Sequence, residues 1–176
     1  MQYIKHQNLQ QGLATVEFAI VLPLIILIAL AVTELGRGLY QYNTLTKAVH
    51  DGVRYLSDKV LDESGILDLT MNDPNPSGNG LSLEENTKNL VIYGDVNGGA
   101  TPVLPFDSPE DFTVTVTAID VALPGDALIP GGGISPNHVR VSATYTFSPL
   151  FPALQNLGYQ LIPEITVSAT ERALRI

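Results

Sequence analysis

No cysteine occurs among the 176 residues. No disulfide is available, and the folded body must hold together by its own core. Basic residues are scarce. Nine Lys and Arg stand against eighteen Asp and Glu, for a formal net charge of −9 and a pI near 4.5. Nucleic-acid binding needs Lys and Arg to displace counterions from phosphates, so that function class is excluded. His6, His50 and His138 are scattered, with no second ligand at metal-binding spacing. No serine sits in a nucleophile elbow, and no residues are spaced as a catalytic triad. The acidic pairs Glu84–Glu85 and Glu110–Asp111 fall in expected loops and read as solvated surface rather than as acid and base. Gly131-Gly132-Gly133 follows no clear strand and opens no helix, which makes it a flexible turn and not a phosphate cradle. The pattern gives an enzyme nothing to work with, and no cofactor is called for.

What the chain does have is a long apolar run. Phe18 to Val32 carries no polar side chain. As helix these residues reach roughly 22 Å, short of the ~30 Å hydrocarbon core of a membrane. Extension back to Leu13 gives a sufficient length, but it places Glu17 inside the apolar layer. A carboxylate there costs a few kcal/mol on insertion scales, about enough to demand a partner. Gly12 suggests the partner: cleavage after it leaves Leu13 with a free ammonium and makes Glu17 the fifth residue of the mature chain.

Gly12, Glu17 at mature position five and Phe18 at six, leading into an apolar helix, resemble the precursors processed by prepilin peptidase. The wording from Gly12 to Val21, with the amphipathic continuation as far as Arg54, resembles the TadE-like minor pseudopilins of tight-adherence (Flp) type IV pilus systems. The resemblance spans Gln11 to about Ser57 and is fainter in Val139–Phe147 and Ile165–Arg175. It implies cleavage between Gly12 and Leu13. It also implies an assembly role for Glu17 and Phe18, with Glu17 meeting the N-terminal amine of a neighbouring subunit. The partners it implies are prepilin peptidase, the membrane, other pilins and pseudopilins, and inner-membrane assembly proteins. The implied location is the bacterial inner membrane, single pass, with a periplasmic C-terminal domain that enters the pilus or assists it.

Charge distribution agrees with that orientation. Every acid but Glu17 lies after the apolar run, and Lys5 is the one Lys or Arg before it, a small positive-inside signal. Two rivals use the same residues. In one, Lys5, Phe18–Ile28 and Ala29-Leu30-Ala31 form a secretory signal that releases a binding module starting at Val32. In the other, the span is never cut and anchors a single-pass binding module.

The expected organisation is a leader at 1–12, a transmembrane and assembly helix at 13–33, and an α+β domain at 34–176. One helix should run from Leu13 to about Asp62. In its second half Leu35, Leu39, Tyr42, Leu45, Val49, Val53, Leu56 and Val60 recur at helical spacing and form one apolar face. Pro23 should kink or loosen the first half, and Gly36–Gly38 should let the juncture flex. Phe112–Thr117, Val139–Phe147 and Ile165–Thr170 alternate apolar and polar as half-buried strands do. Leu83–Asn89 reads as a short helix and Leu90–Tyr93 as a short strand. The fold expected is a pilin-like α+β arrangement, the long helix packed on an antiparallel sheet of three or four strands. A turn-rich loop from Asp73 to Gly78, with Glu84 at its twelfth position, loosely follows the calcium-loop pattern. Ser77 and two prolines break the pattern, which favours a plain solvated loop.

Overall fold

The computed structural model describes residues 7–61, 68–69, 80–106, 108–119, 138–150 and 164–173. The order is α1 (Gln7–Lys59), α2 (Leu83–Tyr93), a 3-10 turn at Pro109–Asp111, then β1 (Phe112–Ile119), β2 (His138–Thr146) and β3 (Glu164–Arg172). The class is α+β. Among the described residues the sheet has three antiparallel strands in the order β1-β2-β3. The chain divides into two compact units, Met1–Leu39 and Tyr40–Ile176, and α1 contributes to both.

Helix α1 starts earlier than expected, taking in Gln7–Gly12, and it runs through Pro23. Its last turn carries Lys59, whose charge suits the negative end of the helix dipole. Helix α2 has both of its stops written locally. The Ser82 hydroxyl accepts from the Glu85 backbone N–H at 3.2 Å, and the Glu85 carboxylate accepts from the Ser82 N–H at 3.1 Å, a reciprocal capping box. At the other end Gly94 adopts φ 74°, a left-handed conformation that glycine takes without strain, and donates its N–H to the Leu90 carbonyl. The expected strand at Leu90–Tyr93 is therefore the last turn of α2. Its apolar residues serve helical spacing: Leu83, Thr87 and Val91 stand four apart and all are buried. The expected short helix at Leu83–Asn89 is present as the first part of α2, and Glu84 and Glu85, read above as solvated loop acids, occupy its first turn.

The sheet follows the alternation in the sequence. Phe112, Val114 and Val116 of β1 face the core with Val139, Val141, Ala143 and Tyr145 of β2 and with Ile165 and Val167 of β3. The register sets them in rows across the strands: Phe112–Tyr145–Ile165, then Val114–Ala143–Val167. Leu45, Ala48, Val49, Val53 and Leu56 of α1, with Val60 just past its end, complete one hydrophobic cluster with these rows, Leu83, Val91 and Leu104. Tyr145, fully buried, ties three parts together. Its ring meets Phe112 edge-on at 5.8 Å, its hydroxyl donates to the Pro105 carbonyl at 2.6 Å, and it accepts from Gln41 Nε2 at 3.4 Å.

The buried stripe of α1 is not the expected one in its upper part. Leu35, Leu39 and Tyr42 are exposed. The face that continues from Leu45 toward the N-terminus at spacings of three and four is instead Gln41, Gly38 and Glu34, all buried. Counting apolar residues alone selects the exposed Leu35, Leu39 and Tyr42 over a glycine and two polar side chains that are buried.

Gly52 has a packing reason. A Cβ at this position would stand 2.6 Å from Val91 Cγ2, 3.6 Å from Thr87 Cγ2 and 3.8 Å from Val141 Cγ1, where α1 abuts α2 and β2. Alanine gains up to about 1 kcal/mol in helix propensity, yet the stiff Val91 has no slack to yield, and overpacking costs about 1–3 kcal/mol. Gly52→Ala is expected to lower stability by about 1 kcal/mol, read as a lower midpoint in chemical denaturation; Gly52→Ala with Val91→Ala should recover part of the loss.

Candidate functional site

The candidate site is the first part of α1. Between Gly12 and Lys59 this helix is long and apolar enough to cross a membrane, the one such helix among the described residues. Every side chain from Leu13 to Ala29 is exposed, on all faces of the helix. A helix that is apolar all round and covered by nothing in its own chain is built for lipid or for other helices.

Gly12 lies within this helix with nothing inside 4 Å of an added Cβ, and its φ is not among the positive ones. Neither space nor backbone conformation in the fold calls for glycine there. In a helix interior it costs up to about 1 kcal/mol relative to alanine. Leu13, the next residue, is 72% exposed.

Glu17 is exposed one turn beyond Leu13, with Phe18 exposed beside it. No described residue forms a hydrogen bond or ion pair with the carboxylate. From Gly12 to Gly36 the sequence holds no Lys, Arg or His, and Arg37 stands twenty positions on. That is roughly 30 Å along a helix, too far for any contact. Among the described residues, then, no cation of the same chain reaches the Glu17 carboxylate. Leu13 and Glu17 are spaced i, i+4, so their side chains lie on the same side of the helix, one turn apart.

The other sequence candidates do not converge. Asp73–Gly78 and Gly131–Gly133 lie outside the described residues, as does His6. Glu84, the would-be twelfth calcium ligand, pairs with Lys88 at 2.6 Å in the first turn of α2. Glu85 is held below the usual carboxylate range by the Ser82 backbone N–H and then by the Ser82 hydroxyl, so its task is capping. Asp111 accepts from the Ser108 N–H at 2.9 Å and caps the 3-10 turn. His50 is exposed on α1 with Nδ1 2.8 Å from the Thr46 carbonyl, and His138 opens β2. No cluster of three or more His, Cys, Asp or Glu able to hold a metal occurs among the described residues.

The sequence reading missed Glu34 and Gln41, polar residues only 2% and 3% exposed. The signal available was their phase, since 34, 38 and 41 extend the 45–49–52–56–60 series without a break.

Comparison with known proteins agrees with the region already singled out. Residues 12–54 match the family model described as TadE-like protein. The match begins at Gly12, takes in Leu13, Glu17 and Phe18, and ends at Arg54 inside α1. No curated protein and no solved structure matches the chain.

Proposed function

We propose that this TadE-like chain is a minor pseudopilin of a tight-adherence (Tad, Flp) pilus. In this reading prepilin peptidase removes residues 1–12, residues 13–33 remain in the inner membrane, and residues 34–176 stand in the periplasm. The mature protein meets other pilins and the inner-membrane assembly proteins through its apolar helix. Its task is structural: it joins or primes the filament used in adherence, and it catalyses nothing.

One observation carries this reading. Glu17 is the one charged residue from Leu13 to Val32, a run whose other polar side chain is Thr15, and no cation among the described residues reaches it. It sits five residues after a glycine that the fold does not require. Cleavage after Gly12 accounts for both facts at once, since it needs a residue without a side chain at the cut and creates the ammonium that Glu17 lacks. Secretory release at Val32 accounts for neither.

The test is the mature N-terminus. Protein taken from cell envelopes should begin at Leu13. Gly12→Val should accumulate as a precursor longer by twelve residues, because a branched side chain obstructs the approach of the scissile bond to the peptidase. A mature chain beginning at Val32, or normal processing of Gly12→Val, would remove the pseudopilin reading.

A further inference from the structure

The exposed part of α1 is patterned beyond what membrane insertion asks. Val21, Ile25, Ile28, Val32, Leu35 and Leu39 follow spacings of four, three, four, three and four, the seam of a left-handed coiled coil. Within the all-apolar span such a series is undistinguished. Past Val32 it is selective: of residues 33–39, Thr33, Glu34, Gly36, Arg37 and Gly38 fall off the seam, and both large apolar residues fall on it. All six seam residues lie in the Met1–Leu39 unit, each 42% to 64% exposed. Pro23 takes the heptad position pointing away from the seam, where a missing hydrogen bond does not disturb it.

We infer that this seam pairs with the same seam of a second copy of the chain, as a parallel, in-register dimer formed in the membrane. Three features select that occupant. A single span inserts every copy in one direction, so two copies meet parallel with equal residues opposed. Along the seam and its flanking positions from Phe18 to Leu39 no residue is charged, although Glu17 stands one position before and the whole chain carries a net charge of −9. One flank is cut back for close approach, with Ala29 and Gly36 one heptad apart, and nothing stands within 4 Å of a Cβ added to Gly36. Leu35 and Leu39 lie past the span, where pairing takes them out of water, while Val21, Ile25, Ile28 and Val32 exchange lipid contact for packing that the small residues Ala29 and Gly36 let come close.

The contact uses neither the Leu13 amine nor Glu17, so it stands apart from the pseudopilin reading and precedes any assembly. Because the native chain has no cysteine, single cysteines in the full-length protein report position cleanly. Leu35→Cys and Leu39→Cys, oxidised in intact membranes, should form disulfide-linked homodimers at least tenfold faster than Thr33→Cys and Tyr40→Cys, which are exposed but off the seam. The same contrast should persist in Gly12→Val and Glu17→Leu backgrounds, and Gly36→Ile should suppress it while envelope levels of the protein are unchanged. Equal rates at all four positions, as for a stripe that only meets lipid, would overturn the dimer. So would cross-links solely to another protein, or their disappearance in Glu17→Leu.

Discussion

Val53→Asp is expected to leave the Tyr40–Ile176 unit unfolded. Val53 is 2% exposed and sits in the cluster that α1 forms with α2 and the sheet. The substitution removes the burial of a valine, about 1.5 kcal/mol or more, and adds an uncompensated acid, for which the cost is about 3–5 kcal/mol. Protonating the aspartate relieves the charge only by shifting its equilibrium against solution, so the penalty persists in another form. Together these effects rival the whole stability of a small domain, about 5–15 kcal/mol. The measurement is chemical denaturation of a soluble fragment beginning near Gly36, which should unfold in one cooperative step without any disulfide. In the same fragment Val53→Asp should show no transition, whereas the exposed Asp58→Ala should stay within about 0.5 kcal/mol of the parent. A Val53→Asp fragment that melts like its parent would mean that α1 does not pack on the sheet.

The inner face of the sheet was legible because period-two alternation is strict there. Val139, Val141, Ala143 and Tyr145 read as one face from spacing alone, and all are fully buried. The lower part of α1 was legible for the same reason at helical period. Legibility failed where a short apolar stretch fits two periods. Leu90–Tyr93 is too brief for its own pattern to decide, and the deciding residues were Ser82 and Gly94, outside the stretch. It failed again at Gln41 and Glu34, whose phase argued for burial while their chemistry argued against it. Gly52 was visible only as a weak point in a helix. That it admits Val91 and Thr87 of α2 depends on a packing between elements distant in sequence. The candidate site is the reverse case. Gly12, Leu13 and Glu17 make no tertiary contact that a sequence reading would need to anticipate, so their meaning rests in local spacing and in the absence of any reason for them inside the fold.

Glu17→Leu is expected to separate insertion from assembly. The leucine removes an acid from an exposed apolar helix, so the variant should enter the membrane more favourably than the parent, by about 2 kcal/mol on insertion scales. Processing after Gly12 should continue, because the cut lies one turn away and Gly12 is unchanged. What the variant loses is the carboxylate that a neighbouring subunit's Leu13 ammonium would meet. Within one chain the helix holds that amine about one turn from the acid, with its own geometry already set. A neighbour shifted along the membrane normal can bring its amine into direct contact, in a medium where an ion pair is screened by neither water nor salt. Each assembled pair therefore relieves two isolated charges, and in Glu17→Leu an unpaired ammonium is left behind instead. Loss of co-purification with partner pilins, at unchanged processing and envelope level, is the expected result, and Glu17→Asp should restore part of it. If Glu17→Leu co-assembles as the parent does, the carboxylate has no part in subunit contact and α1 serves this protein as an anchor alone.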